Sequence, residues 1–216
     1  GWLYMGAALH SMERYAEATH ALRKGLELAP RFGTAWALLG MCEAELDNAE
    51  QALADIARGE QLGLGANLGF EVAVRVRAAR LLISEGRFDE AMGKMYPLSK
   101  RNIDHPAIEE IMGLAALGVD RDPASLTPER REIVQLAGKA AWAGGTGRPE
   151  EALKGYDELI RRFPKAPGVH NARALYLMES DPKAALEGFL EEIRNTPDHW
   201  PALLMLANLQ IRQGAP

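Results

Sequence analysis

The chain has 216 residues, 47% of them hydrophobic and 25% charged, with a formal net charge of −5. These proportions are ordinary for a soluble globular protein and exclude wholesale disorder. The negative balance argues against nucleic acid as a partner, because a phosphate-tracking surface needs an excess of Lys and Arg. The basic clusters Arg75–Arg77–Arg80 and Arg161–Arg162 have acidic neighbours and read as solvated helix faces. The single cysteine, Cys42, rules out an internal disulfide. No stretch approaches the roughly 18 consecutive apolar residues of a membrane span, and no signal peptide is visible. The chain opens at Gly1 without an initiator Met, so it reads as an excised piece of a longer protein, and its cellular compartment is left open.

Taken in chain order, the first two units declare an internal repeat. Trp2 recurs as Trp36, Gly6 as Gly40, Ala18 as Ala52 and Gly25 as Gly59, all at one offset. Leu22 is matched by Ile56 and Pro30 by Leu64 at the same offset. Each unit reads as two short amphipathic helices, A and B, with apolar residues three and four apart. Gly6, Gly40, Ala18 and Ala52 are expected where the helices cross closely, since larger side chains would hold them apart. Pro30 stops a helix, because it lacks an N–H and clashes with the preceding turn.

A third unit places Ala79 and Leu82 on helix A, and Gly86, Phe88, Ala91, Met95 and Leu98 on the turn and helix B. The step from Ala52 to Ala91 exceeds one period by five positions, and the surplus fits the glycine-rich segment Gly63 to Gly69. A fourth helix A is expected from about Pro106 to Leu117, with Gly113 at its small position. Then the register breaks. The step from Ala91 to Ala152 falls seven positions short of two periods, and Gly118 to Leu126 stands where a helix B should be. A loop or one short turn is expected there, with Asp122 capping before Pro123. The fourth unit is thus read as having lost its second helix.

A new helix is expected from Thr127-Pro128 to about Ala143. The fifth unit follows with Ala140, Gly147, Ala152, Tyr156, Leu159 and Pro164, and the sixth with Ala174, Leu177, Ala185, Phe189 and Pro197. A seventh helix A runs from about His199 to Gln213 without a following helix B. Leu203, Leu206 and Leu209 would then lie partly uncovered, each forgoing roughly 1.5–3 kcal/mol of burial. That helix is the candidate surface for homo-oligomer formation.

The patterns Trp2-x-x-Met5-Gly6-x-x-Leu9, Tyr15-x-x-Ala18-x-x-x-Leu22 and Pro30, and their second copy, resemble the tetratricopeptide repeat, whose period is 34 and whose signature is W-x-x-L-G-x-x-Y, then A-x-x-x-F, then P. The last three units most resemble the arrays of long bacterial proteins. The resemblance covers nearly the whole chain and is weakest at residues 60–72 and 118–130. It implies an all-α, right-handed α-solenoid of antiparallel helix pairs, a superhelix of about 12 to 13 helices. The array is expected to be a single one over 1–216, with sub-lobes 1–118 and 127–216 separated by the irregular segment 118–127.

The resemblance also implies where a partner would sit, because the A helices of such arrays line a concave face. Carried onto this sequence, the family's ligand-facing positions include Leu3 and His10 in the first unit, Met41 and Glu45 in the second, Val76 and Arg80 in the third, and Asn171 and Met178 in the sixth. Leu3 and Ala7 stand where the subfamily that grips acidic chaperone tails has Lys and Asn, so that clamp is absent. A protein or peptide partner is the expectation.

Nothing in the chain points to catalysis. His10, His20, His105, His170 and His199 form no H-E-x-x-H or C-x-x-C pattern, so no metal site is expected. The glycine runs at Gly63–Gly65 and Gly144–Gly147 lack the Lys-Ser/Thr of a phosphate loop and follow no strand, so no cofactor is expected. They read as helix stops. Asp198 and His199 precede a helix start, where either serves as a cap. The pairs Glu109-Glu110, Glu150-Glu151 and Glu191-Glu192 read mostly as first-turn acids favoured by the helix dipole. The sequence thus reads as a non-enzymatic interaction scaffold, with a purely architectural or self-associating segment as the alternative, any enzymatic activity lying outside this chain.

Overall fold

The computed structural model describes residues 1–101, 103–120 and 123–212. Among the described residues the regular structure is helical, with no strand. The chain forms two compact units, Gly1–Leu81 and Leu82–Pro216. The division falls inside a helix, elsewhere than the 118–127 segment at which the repeat register breaks.

The first unit holds α1 (Trp2–Ser11), α2 (Tyr15–Leu28), α3 (Gly33–Glu45), α4 (Ala49–Leu62) and most of α5 (Leu68–Ser84). Hairpins α1–α2 and α3–α4 are tightly packed, and α2 also packs on α3. The small residues that recur between the first two repeats are the crossing points. A methyl group on Gly6 would stand 2.6 Å from Leu22 Cγ, and one on Gly40 would stand 2.6 Å from the Ala52 carbonyl oxygen. Ala18 and Ala52 are fully buried at the same crossings. One cluster joins Ala18, Leu22, Leu26, Ala35, Leu39 and Cys42, and a second joins Ala37, Ile56, Leu64, Val74 and Ala78. The surplus before the third repeat resides in the loop 63–67 and in α5, whose 17 residues exceed the 13 of α3.

The second unit holds α6 (Phe88–Ser99), α7 (Pro106–Ala116), a 3-10 turn (Pro123–Ser125), α8 (Pro128–Gly145), α9 (Pro149–Arg162), α10 (Val169–Leu177), α11 (Pro182–Asn195) and α12 (Trp200–Arg212). The short turn expected within 118–126 is the 3-10 turn; the expected cap at Asp122 lies outside the described residues. Thr127 caps α8, its Oγ1 accepting from the Arg130 N–H at 3.2 Å. The helices expected at 106–117, 127–143 and 199–213 are α7, α8 and α12.

The fourth repeat needs a correction. Among the described residues α7, α8 and α9 stand where two full repeats would have four helices, yet α7 does not lack a partner. Helix α8 packs on α7 as a helix B would and on α9 as a helix A would. Gly113 and Gly138 face each other at the first contact, where a methyl on Gly138 would lie 1.8 Å from the Glu109 carbonyl oxygen. At the second contact Ala140 meets Gly155. With 18 residues, α8 is long enough to serve both neighbours.

The turns that follow α1, α3, α5 and α8 share one form. An N–H just past the helix donates back five positions, from Arg14 to Leu9 O, Asn48 to Glu43 O, Arg87 to Leu82 O and Arg148 to Ala143 O, at 2.8–2.9 Å. This closure requires one residue in the left-handed region. Glu13 (φ 58°) and Asp47 (φ 60°) fill it in the first unit, and Gly86 and Gly147 in the second. The end of α7 has the same closure, Val119 to Leu114 O around Gly118.

A groove across the second unit

In the first unit the sequence-predicted positions divide. Leu3 packs inside its own hairpin, against Gly25. Val76 is buried, and Met41 packs beside Ile56 and Val74. His10 and Glu45 come together at the ends of α1 and α3. The His10 ring lies edge-on to Tyr15 at 5.7 Å between centroids. Burial holds its pKa below the usual imidazole range, against the opposing pull of Glu45. Glu45 also accepts a hydrogen bond from Arg77. Arg80 is exposed.

In the second unit Met178 packs against the core of Ala174, Leu177 and Phe189. Asn171 is different. It is 2% exposed, yet its side-chain oxygen has no hydrogen-bond partner. It lines a groove of about 550 Å³. Phe88 and Met92 of α6, Leu175 of α10 and Trp200, Leu203 and Leu204 of α12 supply its apolar walls. A buried polar atom is ordinarily paired, and leaving one unpaired costs about 1–3 kcal/mol. An unpaired carbonyl oxygen on an apolar groove therefore asks for an N–H donor. A second depression, of about 570 Å³ over α10 and α11, is rimmed by the mixed charges of Arg173, Glu187, Glu191 and Arg194 and has no such orphan.

The element that holds Asn171 in place escaped the sequence reading. Glu192 is fully buried and accepts the N–H groups of Gly168 at 2.8 Å and of His170 and Asn171 at 3.2 Å. It satisfies the start of α10 from the far end of α11, so Glu191-Glu192 does not belong to a first turn. No local signal marks it, because the groups it caps lie 21 to 24 residues away. His199 is the cap expected before α12, its Nδ1 accepting from the Ala202 N–H at 3.2 Å.

The face of α12 meets the expectation only in part. Leu209 is buried and Leu203 and Leu206 are half-buried. The exposed stripe is instead Trp200 (77%), Leu204 (58%) and Ile211 (73%). Leu206 and Leu209 pack against the core of Ala174, Leu177 and Phe189, and Leu203 lines the groove.

Cys42 is buried, and burial, reinforced by Glu43 and Glu45, pushes its thiol up to about 12. Among the described residues no three His, Cys, Asp or Glu side chains gather as metal ligands. No helix among them is long and apolar enough to cross a membrane.

The glycine crossings, the left-handed turns between paired helices and the offset shared by the first two repeats describe one kind of unit. The model for the tetratricopeptide repeat matches residues 6–63 and 136–199, together more than half of the chain. The chain belongs to the tetratricopeptide repeat family. The unmatched middle of this tetratricopeptide array contains the stretched third repeat and the first half of α8. No curated protein matches the chain. It is similar to three solved crystal structures. One is the Cut9–Hcn1 hetero-tetramer of the APC/C, at 16% identity over 96% of this chain and 42% of that one, with a TM-score of 0.46. Another is the TPR domain of P58(IPK), at 17% identity over 99% and 55%, with a TM-score of 0.45. The third is YrrB, a TPR protein with an unusual peptide-binding site, at 16% identity over 94% and 89%, with a TM-score of 0.42. The chain spans about half the length of the first two.

Proposed function

We propose that this tetratricopeptide array is an interaction scaffold that binds an apolar peptide segment of a protein partner in the groove of its second unit. The single observation that carries the reading is the buried, unpartnered Asn171 oxygen set among Phe88, Leu175, Trp200 and Leu203. Apolar side chains of the ligand would be desolvated against those walls, at roughly 25 cal/mol per Å² buried. A backbone N–H of the ligand would satisfy the orphan oxygen. Of the family-derived positions, Asn171 supports this role most directly, and His10 with Glu45 marks a second, polar place for contacts in the first unit. The test is peptide-array binding to the full chain, with Asn171→Leu and Leu175→Glu as variants. Binding that survives both substitutions would remove the groove from consideration.

A second reading is favoured by the stripe Trp200, Leu204 and Ile211. Here α12 is a self-association surface and the segment is architectural. Sedimentation velocity of the chain and of Leu204→Glu separates the readings. A concentration-independent monomer excludes self-association, whereas a dimer dissolved by Leu204→Glu supports it.

A further inference from the structure

Beside the groove lies a cavity of about 290 Å³, also within the second unit, sharing Met92 and Leu175 with it. Its character is different. Tyr96, Tyr156 and Tyr176 converge on it, the rings of Tyr156 and Tyr176 tilted with centroids 5.5 Å apart. The Gly144-Gly145 pair at the end of α8 makes this approach feasible. A methyl on Gly144 would stand 2.5 Å from the Tyr176 ring, and one on Gly145 would stand 3.4 Å from that of Tyr96. The pair therefore does more than stop a helix.

Among the described residues no charged side chain lines the cavity. Tyr156 is 2% exposed, and among the described residues its hydroxyl forms no hydrogen bond. Burial and the neighbouring tyrosines push its ionisation up, so it stays a neutral donor. A cationic ligand would lose its hydration here with no carboxylate in return, and an anion would find no positive charge. A neutral ring with good acceptors beside it fits. Proline meets that need: its ring packs on aromatic faces, and the adjoining peptide carbonyl can accept from a tyrosine hydroxyl. A proline-containing segment is also pre-extended, so it loses little conformational freedom on binding.

We infer that the tyrosine cavity is a proline-accepting subsite. The ligand is an extended, proline-containing peptide segment with its pyrrolidine ring among Tyr96, Tyr156 and Tyr176, and with the N–H of a neighbouring non-proline residue donating to Asn171 Oδ1. Met92 and Leu175, the latter one helical turn from Asn171, are the walls common to both halves. This assignment rests on the groove being a peptide site.

The test uses the full chain, labelled with nitrogen-15, and four synthetic peptides of equal length. These are a Leu-Pro-Pro-Leu core flanked by Gly and Ser, the same peptide with both prolines replaced by alanine, an amphipathic helical peptide, and a peptide carrying trimethyllysine. The proline peptide is expected to shift the amide signals of Gly144 and Gly145 and to bind more tightly than the other three. Tyr156→Phe keeps the ring and the fold and is expected to weaken that binding about 3- to 10-fold, the loss of one neutral hydrogen bond. If the alanine or helical peptide binds as well, shifting signals of α12 while Gly144 and Gly145 stay silent, the groove stands and the proline subsite falls. Preference for trimethyllysine overturns it in favour of a cation cage. Failure of all four peptides removes both the subsite and the groove reading.

Discussion

The α3–α4 hairpin and the α7–α8 pair solve one packing problem in two ways. In both, small residues let two helices cross closely. In the regular hairpin the tight neighbours of the small positions mix side chain and backbone, and in α1–α2 they are chiefly Leu22 and Leu3 side chains. At α7–α8 the neighbours are backbone only: Val134 O stands 2.0 Å and Gly138 N 3.0 Å from where a Gly113 methyl would be. The difference shows what it takes for one helix to serve two partners. With α9 also packed on it, α8 meets α7 through a contact closed backbone to backbone.

The largest expected effect tests that contrast. Gly138→Ala places a methyl against a carbonyl that cannot rotate away, and is expected to cost about 3 kcal/mol or more. Gly6→Ala meets the movable end of Leu22 and should cost about 1–2 kcal/mol. Urea unfolding of both variants measures the difference; equal costs would mean that α7 and α8 are held together elsewhere. Next comes Glu192→Ala, which strips three buried N–H groups of their acceptor. A loss of about 2–3 kcal/mol is expected, with faster amide exchange at Gly168, His170 and Asn171. An unchanged exchange rate there would show that α10 does not depend on α11 for its start.

The turns supply a smaller, opposite-signed pair. Asp47 sits at φ 60° where Gly147 sits at φ 76°. Asp47→Gly is expected to stabilise by about 0.5–1 kcal/mol and Gly147→Ala to destabilise by about 1 kcal/mol, the steric cost of a left-handed Cβ. Thermal unfolding of the two variants checks the signs. The smallest effect concerns Cys42. Its thiol is raised in the folded state to about 12, so the unfolded chain releases this proton first as pH rises. The stability tied to the neutral thiol is then present below the ordinary thiol range and lost between that range and about pH 12. The native thiol should resist alkylation in mildly alkaline buffer, and Cys42→Ala should flatten the alkaline loss relative to the parent. Rapid native labelling would contradict the burial.

Much of this was legible in residue spacing. Trp2 and Trp36, Gly6 and Gly40, Ala18 and Ala52 announce the hairpins because each contact repeats inside a single period, where local periodicity and tertiary packing coincide. The helix starts at Thr127 and His199 were readable for the same reason: a cap and the N–H it accepts are three positions apart.

What the tertiary structure alone decided involves partners far apart in the chain. The shortened step between Ala91 and Ala152 reveals that a helix is missing, but not that α8 would cover both neighbours. Leu203, Leu206 and Leu209 show a helical period, while the rotation that buries Leu209 and exposes Trp200, Leu204 and Ile211 depends on where α11 stands. Glu192 is one acid among many until α10 is laid across it, and Asn171 is one polar helix residue until its oxygen is found buried beside the groove. Sequence by itself determined the repeat, the helices and their turns, since those are set by contacts within a period. The groove and its unpaired atom arise from α6, α10 and α12 together, and no spacing along the chain encodes which side chains meet there.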